Sequence, residues 1–386
     1  MVRMQRNPNP NHYQDQQSET TNGVGLPCDL IIEILSRLPA KFICQLRCIS
    51  KSWRAILSPF DPVLQTLHRN LSNSTPFLFF FYISYHGICF SSFDTRGQLR
   101  NQFTKHISSP VWTWQFCQGL LCFVCSKHIY VCNPSTQELL EVPYSFNLRD
   151  IYNFAFGYLP STNEYKIVHW FSDTDINHIE KIVCQIFTIK EGGPNPHGSW
   201  RVVGNSPLFR SVHRFPLCMN GSLYWIVDKN ENKGNPMKIH RFDLAREEHE
   251  IVLTPKAFLG SCHDTVCLLL IKDSLCLVDF SPWMPTIDIW MMKDQSNQIW
   301  VKEYIIDIFG VNRPLLKIEY IPSGDGCDEE ILIRPEKEGL LLYNFKTKSI
   351  RRVGNLISEY MGIDFDLGRC IRSYLYVDSL YSLGSG

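Results

Sequence analysis

No stretch of this 386-residue chain stays apolar long enough to cross a membrane. The longest uninterrupted run, Phe77–Ile83, falls far short of the ~20 residues a spanning helix needs. An excess of charge is missing too, since 38 Lys and Arg face 38 Asp and Glu. A protein holding nucleic acid through its overall field would carry a basic excess, so neither nucleic acid nor a membrane is expected as a partner. The N-terminus is rich in Asn, Gln and Arg and lacks the apolar segment of a secretory signal, which points to the cytoplasm, the nucleus or both. In that reducing setting, fifteen cysteines without framework spacing read as free, buried thiols.

Motifs that carry chemistry are also scarce. There is no G-x-S-x-G, no G-x-x-x-x-G-K-S/T, no H-E-x-x-H and no G-x-G-x-x-G. The lone C-x-x-C, Cys122 to Cys125, has no second pair to complete a four-cysteine zinc site. It lies in a strand-like run, where residues three apart point to opposite faces. Two polar clusters, one at Asp173, Asp175 and His178 and one at Asp328, Glu329 and Glu330, read as solvated loops between apolar runs. No catalytic residue, cofactor or metal is expected.

Two textures are present. Residues 1–22 are polar and aperiodic and read as a disordered arm. From Leu30, apolar residues at 30, 31, 34, 35 and 38 share one helical face, with Asp29 and Glu33 early, Arg37 late and Pro39 as the stop. A second short helix fits Ala40–Cys48, and Ser50 suits the N-cap of a third that carries Trp53. Residues 63–71 can form one more. So few short helices cannot bury a self-sufficient core, and a partner is the natural remedy.

Beyond Pro76 the chain becomes a succession of short runs rich in Phe, Tyr, Trp, Val and Ile. Examples are 77–85, 120–125, 165–171, 223–227, 274–280 and 287–292. Turn residues separate them, as in Asn133-Pro134-Ser135-Thr136 and Asn220-Gly221-Ser222. Roughly 300 residues of such strands exceed one sandwich and suit a closed, radially repeated sheet architecture. Turn motifs recurring at irregular spacing point the same way. The expected fold is therefore α+β and multi-domain, a small three-helix module followed by a large all-β, propeller-like domain.

The run Leu26–Leu57, LPCDLIIEILSRLPAKFICQLRCISKSWRAIL, resembles the F-box, by which substrate receptors dock on the Skp-type adaptor of an SCF ubiquitin ligase. Leu26-Pro27, Asp29-Leu30, Arg37-Leu38-Pro39, Leu46-Arg47-Cys48 and Lys51-Ser52-Trp53 carry the likeness. The remainder resembles the F-box-associated domain of a large plant receptor family. Its carriers include Gly119-Leu120-Leu121-Cys122, Asn133-Pro134-Ser135-Thr136, Phe156-Gly157-Tyr158, Asn220-Gly221-Ser222-Leu223-Tyr224-Trp225 and Ile287-Asp288-Ile289-Trp290.

These resemblances imply an F-box at 23–70, a linker at 71–76 and an all-β substrate-binding domain at 77–380. They imply adaptor contacts at Leu26, Pro27, Ile31, Ile34, Leu35, Leu38, Pro39, Leu46 and Trp53. They also imply cullin and RING subunits reached through the adaptor, a target protein of unknown identity, and a non-catalytic receptor. Within the helical module Arg37, Lys41, Arg47, Lys51 and Arg54 outnumber Asp29 and Glu33, a sign that assists encounter with an acidic adaptor. Most tryptophans are expected in the sheet core, and a minority on one rim could anchor the target. Two other readings stay open: a carbohydrate- or small-ligand-binding β module tethered to the adaptor, and a hydrolase of propeller type.

Overall fold

A computed structural model describes residues 26–51, 53, 57, 62–73, 77–84, 87–94, 98–107, 111–125, 128–143, 153–174, 180–191, 199–206, 216–227, 237–258, 265–311, 315–321, 329–335, 340–352 and 371–384. The arm at 1–22, Asp175 and His178 lie outside them. The helices are α1 (Cys28–Ser36), α2 (Ala40–Leu46) and α3 (Pro62–Asn73). Pro27 and Pro39 sit at the N-caps of α1 and α2, where the missing N–H costs nothing. Ser50 fulfils its expected role, since its Oγ accepts from the Trp53 N–H at 3.1 Å. Helix α3 continues to Asn73, so the stretch expected as linker from 71 begins as helix.

The strands in chain order are β1 (Phe77–Ser84), β2 (Gly87–Phe93), β3 (Leu99–Lys105), β4 (Val111–Cys117), β5 (Leu120–Cys125), β6 (His128–Asn133), β7 (Glu138–Val142), β8 (Phe154–Leu159), β9 (Glu164–Thr174), β10 (Glu180–Ile189), β11 (Arg201–Ser206) and β12 (Leu217–Met219). They continue as β13 (Ser222–Val227), β14 (Lys238–Asp243), β15 (Glu248–Leu253), β16 (Val266–Ile271), β17 (Ser274–Asp279), β18 (Thr286–Asp294), β19 (Ile299–Asp307), β20 (Leu315–Ile321), β21 (Glu330–Pro335), β22 (Leu341–Asn344), β23 (Ser349–Arg352) and β24 (Ile371–Tyr376). Among the described residues they make six four-stranded antiparallel sheets, the blades of a propeller.

Strands β4, β8, β12, β16, β20 and β24 are the innermost of their blades and meet one another in that succession. Blade I is closed by the far end of the chain: β24 pairs with β1, from Phe77 opposite Tyr376 to Tyr82 opposite Ile371. Hydrophobic cores lie between neighbouring blades. Phe90 of blade I packs with Phe123 of blade II, Trp170 of blade III with Trp225 of blade IV, and Ile289 of blade V with Ile331 of blade VI. Strands sandwiched this way, such as β5, β8 and β13, are buried along their whole length. Their continuous apolar runs made β5 and β13 legible in the sequence. Outermost strands β3, β15 and β23 face solvent and carry polar sequences, which hid them.

The recurring turn motifs have a structural basis. Blades II, IV, V and VI end in a hairpin opened by Asn133, Asp243, Asp294 or Asn344, whose side-chain oxygen accepts from backbone N–H groups two or three residues on. The same hairpins place Gln137, Glu247, Gln298 and Lys348 in left-handed backbone. Asn220-Gly221 and Lys272-Asp273 make two-residue hairpins with both central φ positive. Cys122 and Cys125 do face opposite sides of β5, into separate cores. The cluster at 328–330 is not wholly a solvated loop. Glu330 opens β21, is buried and pairs with Arg351 at 2.8 Å, while Glu329 pairs with Lys272 at 2.8 Å.

A boundary at 380 falls short of the packed chain. After β24 the tail continues along the propeller, and Tyr381 and Leu383 are 1% and 0% exposed in the core shared by blades II and III. Asn133 Nδ2 donates to the Ser379 and Tyr381 carbonyls at 3.0 and 2.8 Å, and Tyr381 Oη donates to the Ile189 carbonyl at 3.0 Å.

Candidate functional site

The apolar stripe of α1 divides in two. Ile31 and Leu35 turn inward, where Leu35 joins Ile43, Leu57 and Leu64 in a small core flanked by Leu38, Leu46 and Trp53. Leu30 and Ile34, one position earlier on each turn, remain 46% and 52% exposed. Leu26, Phe42 and Ile49 are exposed as well, at 57%, 53% and 67%, and so are Pro27 and Pro39.

The nine residues singled out from the sequence thus fall into groups. Leu26, Pro27, Ile34 and Pro39 present free surface. Ile31, Leu38, Leu46 and Trp53 are half-buried at the edge of the module core. Leu35, 4% exposed, is corrected: it holds the helices together and offers nothing to a partner, because its helix turns it onto α2 and α3. Leu30, Phe42 and Ile49 were missed. The i, i+4 spacing of Leu30 and Ile34 carried that signal, but periodicity does not tell which of two adjacent apolar stripes faces home.

The module is fixed to one face of the propeller by three sets of contacts. From α3, the Arg69 guanidinium lies 4.7 Å over the Tyr158 ring, donates to the Tyr158 hydroxyl, and donates to Asn163 Oδ1 at 3.3 Å. Gln65 donates to Glu191, which also accepts from Asn163 Nδ2 at 2.8 Å. Burial raises the Glu191 carboxyl above its usual range, against the pull of these donors. At α2, the Ala40 N–H donates to Asp378 Oδ2 at 3.0 Å, whose other oxygen accepts from Ser135 Oγ at 2.6 Å. Leu380 of the tail packs on the module core, and Lys41 Nζ donates to Asn101 Oδ1 of blade I at 3.3 Å.

The opposite face carries the connections between successive blades, including the long ones at 143–153, 207–216, 254–265 and 353–370. There two described loops of blade V expose large apolar side chains. Trp283 is 72% exposed, Met284 45% and Phe309 93%. The Ile308 N–H donates to the Pro285 carbonyl at 3.3 Å and joins the two loops. By contrast Trp114, Trp170 and Trp225 are core residues, as expected.

Comparison with known proteins agrees with this division. Residues 25–62 match the family described as F-box domain, and residues 67–372 match that described as F-box associated beta propeller domain. F-box protein At1g30790 of Arabidopsis thaliana is 26% identical over 94% of this chain and 94% of its own length. F-box protein At5g65850 of the same plant is 26% identical over 82% of this chain and 80% of its own. Among solved structures, the β-propeller domain of the Trilobed protease from Pyrococcus furiosus covers 64% of this chain and 83% of its own at 11% identity and a TM-score of 0.35, too distant to support an argument. With an F-box fixed to one face of a six-bladed propeller and both parts matched in order, the chain belongs to the F-box proteins that carry an F-box-associated β-propeller domain.

Proposed function

We propose that this protein is the substrate-recognition subunit of an SCF-type E3 ubiquitin ligase, working in the cytoplasm or nucleus and performing no chemistry of its own. Leu26, Pro27, Leu30, Ile34 and Pro39 meet the Skp-type adaptor, through which cullin and RING subunits join, and the half-buried Ile31, Leu38, Leu46 and Trp53 support that surface. A target protein binds the far face, with Trp283, Met284 and Phe309 as anchors of the kind that dominate interfaces. Because the F-box is bolted to the opposite face, a bound target is held at one distance and orientation from the conjugating enzyme. The gain is proximity, the main lever of a ligase that transfers ubiquitin without a receptor nucleophile.

The observation that carries this reading is the uncovered apolar stripe of an F-box helix on a module otherwise packed against its own chain. A pull-down with purified Skp-type adaptor and cullin tests it. The full chain should capture both, the Leu30→Asp/Ile34→Asp variant should capture neither while folding normally, and Trp283→Ala/Phe309→Ala should retain the adaptor but lose its target. Equal capture by the double-Asp variant would refute the docking surface.

A further inference from the structure

We propose that the cleft between the F-box helices and blade I is a binding site for a small aromatic carboxylate. The cleft has a volume of about 450 Å³, within the range of small-molecule sites, and its walls are mostly apolar. Phe42 of α2 and Leu99 of β3, both partly exposed, stand at its sides. Phe103 lines it too, stacked on Phe90 with ring centroids 4.7 Å apart. A flat aromatic body suits such walls better than a sugar does, because a sugar's hydroxyls would find few partners there.

Two polar groups give the cleft its chemical sense. Ser91 lines it, is 1% exposed, and its hydroxyl has no hydrogen-bond partner among the described residues. A buried hydroxyl left this way is costly, and a ligand oxygen would satisfy it. At the cleft's edge, Lys41 Nζ reaches only the neutral amide of Asn101 and forms no ion pair among the described residues. The other charges there are already engaged. Arg100 holds Asp94 at 2.7 Å, and Asp378 accepts from Ala40 and Ser135. The uncommitted charge is therefore positive, and a carboxylate is its complement.

Lys41 belongs to the F-box and Asn101 to the propeller, so the ligand touches both modules at once and acts as a strut between them. The site is distinct from the far-face loops and needs no adaptor, so it stands whether or not the ligase reading does.

The test uses the full chain with 2-naphthoate as probe and 2-naphthamide as its uncharged counterpart, followed by saturation-transfer NMR and isothermal titration. Naphthoate should bind and raise the melting temperature, and naphthamide should bind on the order of tenfold more weakly. Lys41→Met should weaken naphthoate by a similar factor, and Leu99→Trp, which fills the cleft from an exposed position, should abolish binding. No saturation transfer from naphthoate at about 10 mM would overturn the proposal. So would undiminished binding to Lys41→Met, a surface change that leaves the fold intact even where Leu99→Trp disturbs it. Equal affinity for the amide would overturn the assignment of a carboxylate.

Discussion

The F-box and the propeller solve the same problem from opposite positions. The propeller buries its strands between blades, and each of its large cores draws on two neighbouring sheets. The F-box has four fully buried apolar side chains, Leu35, Ile43, Leu57 and Leu64, and one of its flanking contacts, Leu380, comes from the other end of the chain. A module that small is marginal alone. The difference teaches that the F-box borrows rigidity from the propeller on one side and keeps an apolar stripe unspent on the other.

Ending the chain at Tyr376 should break the comparison most severely. It removes Asp378, Leu380, Tyr381 and Leu383, and with them the support of the F-box and part of a blade core. Scanning calorimetry should show a lower, broader transition, and limited proteolysis should release the F-box first. A cooperative transition at the original temperature would show that the tail is dispensable.

Leu35→Ala comes next, at ~2–5 kcal/mol for a cavity in so small a core. It should unfold the F-box while leaving propeller melting in place. Ile34→Ala, one residue away and exposed, should change stability by less than ~0.5 kcal/mol yet weaken adaptor binding. Calorimetry and adaptor titration on the two variants separate core from docking surface; identical behaviour of the pair would deny the division of the stripe.

Gly119→Ala should cost ~1–3 kcal/mol, felt in the propeller and through it in the F-box. Gly119 has φ +82°, and an added Cβ would stand 2.5 Å from Ser379 Cβ and 2.8 Å from the Val377 carbonyl oxygen. Denaturant midpoints measure the loss. Its absence would mean that the tail yields at that point.

The smallest expected effect is confined to the propeller. His240 Nε2 and His249 Nδ1 lie 2.9 Å apart beside Trp225. Burial, reinforced by the neighbouring His249, holds His240 down to about 3, and burial holds His249 down to about 4. An unfolded histidine titrates near ~6.5. The unfolded chain therefore binds more protons as pH falls below that value, so the stability this pair contributes is whole above ~6.5 and is lost toward 4 and below. Thermal midpoints between pH 7.5 and 4 should fall, and His240→Phe should flatten the dependence. An unchanged slope in that variant would assign the acid sensitivity elsewhere.

Much of this was legible in the sequence. Strands buried on both faces announce themselves as unbroken apolar runs, as β5 and β13 do, and Pro27, Pro39 and Ser50 punctuate the helices as their chemistry requires. What stayed hidden depends on tertiary partners. The outer strands β3 and β23 read as polar because water covers one face. Leu35 and Ile34 are alike in type and adjacent in sequence, and only packing separates them. The exposure of Trp283 and Phe309 is equally invisible, because an aromatic residue near a turn looks the same whether it is roofed or bare. The tail carried no signal at all: Asp378 and Leu380 matter for where the chain returns, 338 residues after Ala40 in the case of the Asp378 contact.

That return sets an order of events during synthesis. Strand β1, with the sequence FLFFFYIS, has β24 as its neighbour on the inner edge, roughly 300 residues later. At ~5–20 residues per second the ribosome takes on the order of 15–60 s to cover that distance. Throughout that interval the greasiest edge of the first blade has no strand to pair with, the condition that invites mispairing and chaperone attention. The receptor therefore becomes a fixed scaffold only once nearly all of it has been made, and a ribosome that stalls in the sixth blade leaves an F-box without the brace that aims it.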